Sequence, residues 1–163
     1  MTTQLITDTR LDELEARLGV TFRDRSLLST ALVHASFVNE NPEAGLQSNE
    51  RVEFLGDAVV DLAVGHLLFD RAPAATEGEL TAVRSLVVRS KALGRAAARL
   101  GLGDYLLMGR GERANRGAER ASNLGDAFEA VVGAIFLDRG YPEARDFVLR
   151  SLEEQIDGAG GSR

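Results

Sequence analysis

The stretch NERVEFLGDAVVDLAVGHLLFDR, residues 49–71, decides the fold class of this chain. Its apolar residues recur at helical spacing, so it predicts one long and mostly buried helix that ends before Pro73. Helical patterns of the same kind fill most of the 163 residues, and strand signals are nearly absent. We therefore predict an all-α domain.

The other expected helices are recognised by their ends. Asp24 is a predicted N-cap, Thr76 and Glu79 have capping-box spacing, and Pro142 lies in the first turn of the last helix. We expect about seven helices in all. The best-marked ones cover residues 9–18, 24 to about 38, 48–71, 76–100, 123–138 and 142–156.

Composition excludes several classes of site. The chain has no cysteine, which removes disulfides, thiolate metal sites and cysteine nucleophiles, and it has only two histidines. No apolar run is long enough to span a bilayer, and the first residues do not resemble a secretion signal. We therefore expect a cytoplasmic protein without a membrane partner.

The net charge of −6 by itself disfavours a nucleic-acid partner, because phosphate binding usually needs basic surface. An acidic protein can still bind nucleic acid when bound divalent cations neutralise part of its acidic surface. Of the 19 basic residues, 18 are arginine, a bias that we attribute to genome composition.

A four-residue motif, LGDA, occurs at residues 55–58 and again at 124–127. Each copy leads into an almost purely apolar helical stretch. Glycine inside a helix costs about 1 kcal/mol relative to alanine, but its lack of a side chain lets two helices approach closely. We predict that the two helices cross near Gly56 and Gly125, with the aspartates that follow these glycines close together.

Acidic residues line one face of each of these two helices. They are Glu50, Glu53, Asp57 and Asp61 in the first, and Asp126 and Glu129 in the second. Like charges at this spacing repel each other, and acids on an apolar helix need compensation. A hard divalent cation is the simplest compensation, and carboxylates without a histidine suit Mg²⁺ or Mn²⁺ better than zinc. Such a site can activate water for phosphoryl chemistry.

These residues admit other interpretations. A charged helix face is commonly just solvated, and for one helix alone that is the simpler interpretation. The repeated motif and the second pair of carboxylates favour the metal site. A di-iron bundle expects two Glu-x-x-His motifs, which the chain lacks. We interpret His34 as a packed or hydrogen-bonding helix residue and His66 as a residue at the edge of the core.

Residues 49–59, NERVEFLGDAV, closely resemble the signature of bacterial ribonuclease III and its flanks. The resemblance continues over nearly the whole chain, with its motifs in the right order and at the right spacing. These motifs are ALVHAS at 31–36, EGEL at 77–80, GRGE at 109–112, NLGDAFEA at 123–130 and GAIFLD at 133–138.

The resemblance implies an all-α endonuclease domain that acts as a homodimer on double-stranded RNA. It implies that Glu53, Asp57, Asp126 and Glu129 are the catalytic residues and the ligands of Mg²⁺, for which Mn²⁺ would substitute. The metal would activate water for attack on the phosphodiester, leaving 5′-phosphate and 3′-hydroxyl ends. Paired cuts would leave short 3′ overhangs, as in the processing of ribosomal and messenger RNA precursors.

Other positions match supporting residues of the family. Glu50 and Glu77 match acids that line the valley between the two active sites, and Phe54 matches an aromatic residue that enters a socket on the partner subunit. From the residues alone, Phe54 is equally well explained as an ordinary core phenylalanine. Asp61 has no role in the family pattern.

The resemblance also sets the expected domain organisation. Residues 1–157 would form the catalytic domain and residues 158–163 a linker or tail, without the double-stranded-RNA-binding domain that common bacterial members carry. The alternative function is a non-catalytic RNA-binding or ribosome-associated dimer of the same fold. The presence of all four metal-ligand positions favours the nuclease.

Overall fold

The computed structural model describes residues 6–160, and it confirms the all-α class. Its α-helices are α1 (Asp8–Leu18), α2 (Arg25–Ala31), α3 (Ala35–Glu40), α4 (Glu50–Arg71), α5 (Glu77–Val88), α6 (Ser90–Arg99), α7 (Arg110–Ala114), α8 (Ala121–Arg139), α9 (Tyr141–Ser151) and α10 (Glu153–Gly160). Short 3₁₀ helices cover Pro42–Ala44, Leu102–Tyr105 and Gly117–Glu119. Within the described residues, β pairing is limited to one isolated parallel bridge between Val33 and Leu107.

Several predicted helix ends are confirmed. The Asp24 side chain caps α2, and Thr76 forms the expected capping box with Glu79 at the start of α5. Helix α1 ends at Gly19, whose φ of 67° lies in the left-handed region that favours glycine. The N-cap of α1 is Thr7, slightly earlier than the sequence suggested.

The predicted helix from residue 24 to about 38 was wrong as a single element, because a backbone pairing divides it into α2 and α3. The His34 N–H donates to the Leu107 carbonyl at 2.9 Å, and the Leu107 N–H donates to the Leu32 carbonyl at 2.9 Å. These bonds replace helical ones. The chain resumes as α3 after His34, whose Nδ1 accepts a bond from the Ser36 N–H at 3.1 Å.

Two more predicted helices are each divided in the structure, which raises the number of helices above seven. The segment 76–100 breaks at Arg89, where an extended backbone (ψ 150°) turns α6 onto α8. The last segment breaks at the fully buried Leu152, and α10 then continues to Gly160. The expectation that the linker begins at residue 158 was therefore wrong for residues 158–160, which belong to α10. Ala159 in this segment packs against the core. The rest of the expected tail, 161–163, lies outside the described residues.

Helix α8 is the centre of the core, and α4 and α6 both pack against it. Its Phe128 is fully buried and stacks on Phe147 of α9, with ring centroids 5.6 Å apart. Helix α4 is less buried than its composition suggested, because Phe54, Leu62 and Phe69 on it are exposed. Among the helices of residues 6–160, α4 included, none has the length and apolar character needed to cross a membrane.

Two glycines allow α4 and α8 to approach closely. The prediction was right for Gly56 and wrong for Gly125, since the glycine of α8 at the crossing is Gly133. A Cβ on Gly56 would lie 1.7 Å from the Glu129 carbonyl oxygen, and one on Gly133 would lie 2.3 Å from the Val52 carbonyl oxygen. Gly125 instead faces α6, where its Cβ would lie 3.0 Å from the Ser90 oxygen. Gly125 and Gly133 are about 80° apart around the helix, so they serve different neighbours.

Candidate active site

The crossing of α4 and α8 brings four carboxylates together. Glu53 and Asp57 lie one turn apart on α4, and Asp126 and Glu129 lie three residues apart on α8. Across the crossing, Glu53 interacts electrostatically with Asp126, and Glu129 interacts with Asp57 and Glu53. The expected grouping is therefore present, although the closest approach is at Gly133 rather than Gly125.

Burial raises the pKa values of Glu53, Asp126 and Glu129, and repulsion from neighbouring carboxylates adds to the rise for Glu53 and Glu129. Burial, followed by the charges of Asp126, Glu50 and Asp57, raises the pKa of Glu53 to about 7. Burial, followed by the charge of Asp57, raises the pKa of Glu129 to about 8. Burial also raises the pKa of Asp126. Such shifts indicate a cluster that carries more negative charge than the protein itself compensates.

The chemistry of this donor set fits a hard divalent cation. All four side chains offer oxygen, the ligand that Mg²⁺ and Mn²⁺ prefer, and a cation would relieve the repulsion that contributes to the raised pKa values of Glu53 and Glu129. Within residues 6–160, no three acidic or histidine side chains already converge as a set of metal ligands. The helix crossing thus supplies the donors and their proximity, and binding would require the side chains to turn toward one point.

The two acids expected to support the site, Glu50 and Glu77, lie in different parts of the structure. Glu50 accepts a hydrogen bond from the Ser48 hydroxyl at 2.8 Å, and its charge contributes to the raised pKa of Glu53. Glu77 lines a groove of about 970 Å³ between α4 and α5, together with Asp61. Burial and the charge of Asp57 raise the pKa of Asp61. Asp61 is therefore electrostatically coupled to Asp57, in agreement with its place on the acidic face of α4 in the sequence.

Phe54 is not a core residue. It precedes the crossing on α4 and is 81% exposed, which excludes the interpretation of Phe54 as an ordinary core phenylalanine. Leu62 and Phe69 continue the exposed apolar face along the same helix, at 57% and 68%. An apolar face of this kind on a folded domain indicates an interaction surface.

The profile of ribonuclease-III-like proteins matches residues 24–156, a range that contains all four carboxylates of the crossing. The chain belongs to the ribonuclease-III-like family. Among known proteins, it is 48% identical over 148 residues to ribonuclease 3 of Roseiflexus sp. strain RS-1, covering 90% of this chain and 62% of that protein. It is also 48% identical over 149 residues to ribonuclease 3 of Chloroflexus aggregans, covering 90% and 65%. The chain thus spans a little under two thirds of the length of these relatives.

Solved structures show the same ribonuclease III nuclease fold. The nuclease domain of ribonuclease III from Campylobacter jejuni, described for structural flexibility in a region involved in dimer formation, superimposes with a TM-score of 0.83 at 41% identity. That match covers 90% of this chain and 99% of the other. Dicer from Pichia stipitis matches with a TM-score of 0.62 at 25% identity, covering 86% of this chain and 59% of that one.

The two histidines of this ribonuclease-III-like chain differ from each other. His34 is a hydrogen-bonding residue, as expected, but it caps α3, and its charge opposes the rise in the pKa of Asp126. Its proximity to the site comes from the pairing of residues 32–34 with Leu107, which no local pattern indicated. His66 is exposed and lies 3.4 Å from Asp70, so its assignment to the core edge was wrong.

Sequence reasoning missed two buried asparagines that anchor the helices of the site. Asn49, just before α4, donates from Nδ2 to the Ala31 carbonyl at 3.1 Å. Asn123, in the first turn of α8, donates to Glu112 Oε1 at 2.9 Å and to the Gly117 carbonyl at 3.0 Å. The only sequence signal was their position, since each asparagine begins one of the two motifs that carry the site carboxylates.

Proposed function

We propose that this chain is a divalent-metal-dependent endoribonuclease that cuts double-stranded RNA. The observation that carries the proposal is the group of four carboxylates on two crossing helices of a ribonuclease-III-like chain, in which burial raises the pKa values of Glu53, Asp126 and Glu129. Glu53, Asp57, Asp126 and Glu129 are the proposed ligands and catalytic residues, with Mg²⁺ or Mn²⁺ as the cofactor. A bound cation of this type activates water and stabilises the leaving oxygen.

The protein's own contribution is to hold these carboxylates in place. The glycine contact between α4 and α8 fixes the distance between the two carboxylate pairs, and Asn49 and Asn123 anchor the starts of both helices. The family resemblance supports hydrolysis to 5′-phosphate and 3′-hydroxyl ends. Glu50 and Glu77 would line the path of the RNA rather than hold the metal.

We further propose that the active form is a homodimer. The exposed Phe54 adjoins a groove of about 720 Å³ lined by Leu27, Val52 and Leu137, which is large enough to accept an aromatic side chain of a second copy. Two sites related by the twofold axis of such a dimer would cut both strands and leave short 3′ overhangs. Processing of precursor RNA in the cytoplasm is the setting that we propose.

The test compares a long RNA duplex with its single-stranded counterpart, in Mg²⁺ and in EDTA. The wild-type chain should cut only the duplex, and only with metal. Glu129→Gln should abolish cutting while the protein stays folded, because glutamine mimics the protonated carboxyl that this site already favours. Glu43→Gln, which changes an exposed glutamate outside the crossing, is the matched control and should cut like the wild type.

The outcomes separate this function from its alternative. Unchanged cutting by Glu129→Gln would refute the proposed ligand set. A wild-type chain that binds duplex RNA as a folded dimer but never cuts it would instead be the non-catalytic RNA-binding protein.

A further inference from the structure

One stretch of this acidic chain carries basic residues without any acidic ones. Residues 80–103 contain no aspartate or glutamate but carry five basic residues, although the chain as a whole has 25 acids and 19 bases. Arg84 lies near Asp61, and Arg99 pairs with Glu154 at 2.8 Å. The other three, Arg89, Lys91 and Arg95, form the α6 basic cluster. Within residues 6–160, none of these three pairs with a carboxylate.

Two members of the α6 basic cluster, Arg89 and Lys91, are unfavourable for the helix that carries them. Arg89 occupies the N-cap position, makes no side-chain cap bond, and is followed by a first turn without an acid. Short polar side chains are preferred at an N-cap, and positive charge at a helix N-terminus opposes the helix dipole. All three side chains are exposed, so the core does not require them. The folding of α6 therefore does not explain why three cations lie here.

The start of α6, where Arg89 and Lys91 lie, is next to the helix that carries Asp126 and Glu129. The first turn of α6 packs on the first turns of α8: a Cβ on Gly125 would lie 3.0 Å from the Ser90 oxygen, and one on Gly94 would lie 2.7 Å from the Ala121 oxygen. Ser90 separates Arg89 from Lys91, and Gly125 directly precedes Asp126. Arg89 and Lys91 therefore lie at the turn of α6 that contacts the site-bearing helix, whereas Arg95 lies one turn farther along, and Arg89 and Arg95 also line a groove shared with α10.

We propose that the α6 basic cluster binds the phosphate backbone of duplex RNA next to the scissile phosphate, an inference that rests on the proposed function. An acidic site repels a polyanion, and adjacent cations offset that repulsion where the strand approaches. Arginine and lysine that are not paired with a carboxylate can replace the counterions of the phosphates, and the release of those counterions drives binding. The cluster would touch phosphate groups alone, so it positions the RNA without reading its sequence.

The test is the salt dependence of RNA binding by the triple variant Arg89→Gln, Lys91→Gln, Arg95→Gln. Binding of a labelled RNA duplex is measured in a Glu129→Gln background with Mg²⁺, between about 50 and about 200 mM salt. We expect the dissociation constant to rise about tenfold or more, and the slope of log K against log salt to shrink by about 0.9 for each phosphate that the variant no longer neutralises. The melting temperature should stay level or rise, because the helix is relieved of unfavourable charge.

A control triple variant with the same change in charge is Arg23→Gln, Arg71→Gln, Arg145→Gln, which lies outside residues 80–103. It should keep the wild-type salt slope. In the catalytically intact chain, the α6 triple variant should raise KM much more than it lowers kcat, since uniform binding acts on KM. If the α6 basic cluster had only a structural role, the variant would show neither a changed salt slope nor an effect on KM that exceeds the effect on kcat.

Two results would overturn the inference. One of them leaves the proposed function intact, and the other refutes it as well. If the wild type cuts duplex RNA and the α6 triple variant keeps its slope and affinity, the inference fails and the proposed function stands. If the wild type neither binds nor cuts duplex RNA, the proposed function fails and this inference fails with it.

Discussion

Gly56 of α4 lies directly against the backbone carbonyl of Glu129 on α8, so close that a Cβ on Gly56 would be 1.7 Å from that oxygen. No side chain fits between the two helices at this point. The contact places Glu53 and Asp57, on either side of Gly56, opposite the carboxylates of α8. A glycine that is costly for helix stability therefore sets the geometry of the candidate active site.

Replacing Gly56 by alanine should destabilise the protein by about 3 kcal/mol or more, because backbone atoms of α8 cannot move aside as a flexible side chain would. The matched control is Gly65→Ala in the same helix, where the nearest atom, in Arg84, would lie 3.7 Å from the new Cβ. That variant should gain about 0.5–1 kcal/mol from helix propensity alone. Urea unfolding of both variants measures the difference, and equal stabilities would contradict the packing argument.

The acidic site should make the metal-free protein less stable as pH rises. The pKa of Glu129 is about 8 in the folded protein and near 4.5 as an ordinary glutamate, so the folded state keeps this proton longer than the unfolded state. The contribution of Glu129 is thus most favourable below about pH 4.5 and is lost as pH rises toward 8. Removal of the carboxyl by Glu129→Gln should stabilise the protein in EDTA, and by more at pH 8 than at pH 5.5.

Urea unfolding of the wild type and Glu129→Gln at both pH values tests this prediction, since groups common to both proteins cancel in the difference. A difference that does not change with pH would contradict the raised pKa. Mg²⁺ should stabilise the wild type and have a much smaller effect on the variant, because a ligand that binds only the folded state raises its stability.

Phe54→Ala should weaken self-association while leaving the fold of each subunit intact. The side chain is 81% exposed, so its removal creates no cavity in the subunit, but an aromatic anchor at an interface is commonly worth about 2 kcal/mol or more of binding. Sedimentation equilibrium measures the dimer, and far-ultraviolet circular dichroism measures the helix content.

The contrast for this prediction is Phe128→Ala, which empties a fully buried position and should cost about 3–5 kcal/mol of stability. A monomeric wild-type chain at micromolar concentration would refute the dimer. An unchanged association constant in Phe54→Ala would remove Phe54 from the interface.

Asn123→Ala should destabilise the start of α8. The change removes the two bonds that Asn123 Nδ2 donates, to the Glu112 carboxylate and the Gly117 carbonyl, while both acceptors keep a bond from Arg120. Loss of these two bonds should cost about 1–3 kcal/mol. Asn39→Ala, at an exposed position, should stay within about 0.5 kcal/mol of the wild type. Thermal or urea unfolding compares the two, and an equally small effect at Asn123 would show that the anchor is dispensable.

Local patterns in the sequence predicted much of this protein. Helical periodicity indicated the all-α class, and the caps at Asp24 and Thr76 are where their residue types placed them. These features depend on neighbours within about one turn, so they can be read along the chain. The motif resemblance identified the family, which the match over residues 24–156 shows.

The breaks within the predicted helices and the contacts between helices could not be predicted from local patterns. The break at residues 32–34 arises from hydrogen bonds with Leu107, far away in the chain. The breaks at Arg89 and Leu152 had no local sequence signal either. The repeated LGDA motif suggested that Gly125 meets Gly56, whereas the face of α8 that α4 covers carries Gly133.

The site carboxylates also have some properties that the sequence predicts and others that only the packing of the helices determines. Their positions on two helix faces followed from the sequence, because helical periodicity fixes which residues share a face. The raised pKa values of Glu53 and Glu129 and the exposure of Phe54 could not be predicted from the sequence, because burial and charge proximity exist only once α4 and α8 have crossed. The residue types determined which chemistry is available to this protein, and the crossing of the two helices determined where that chemistry is concentrated.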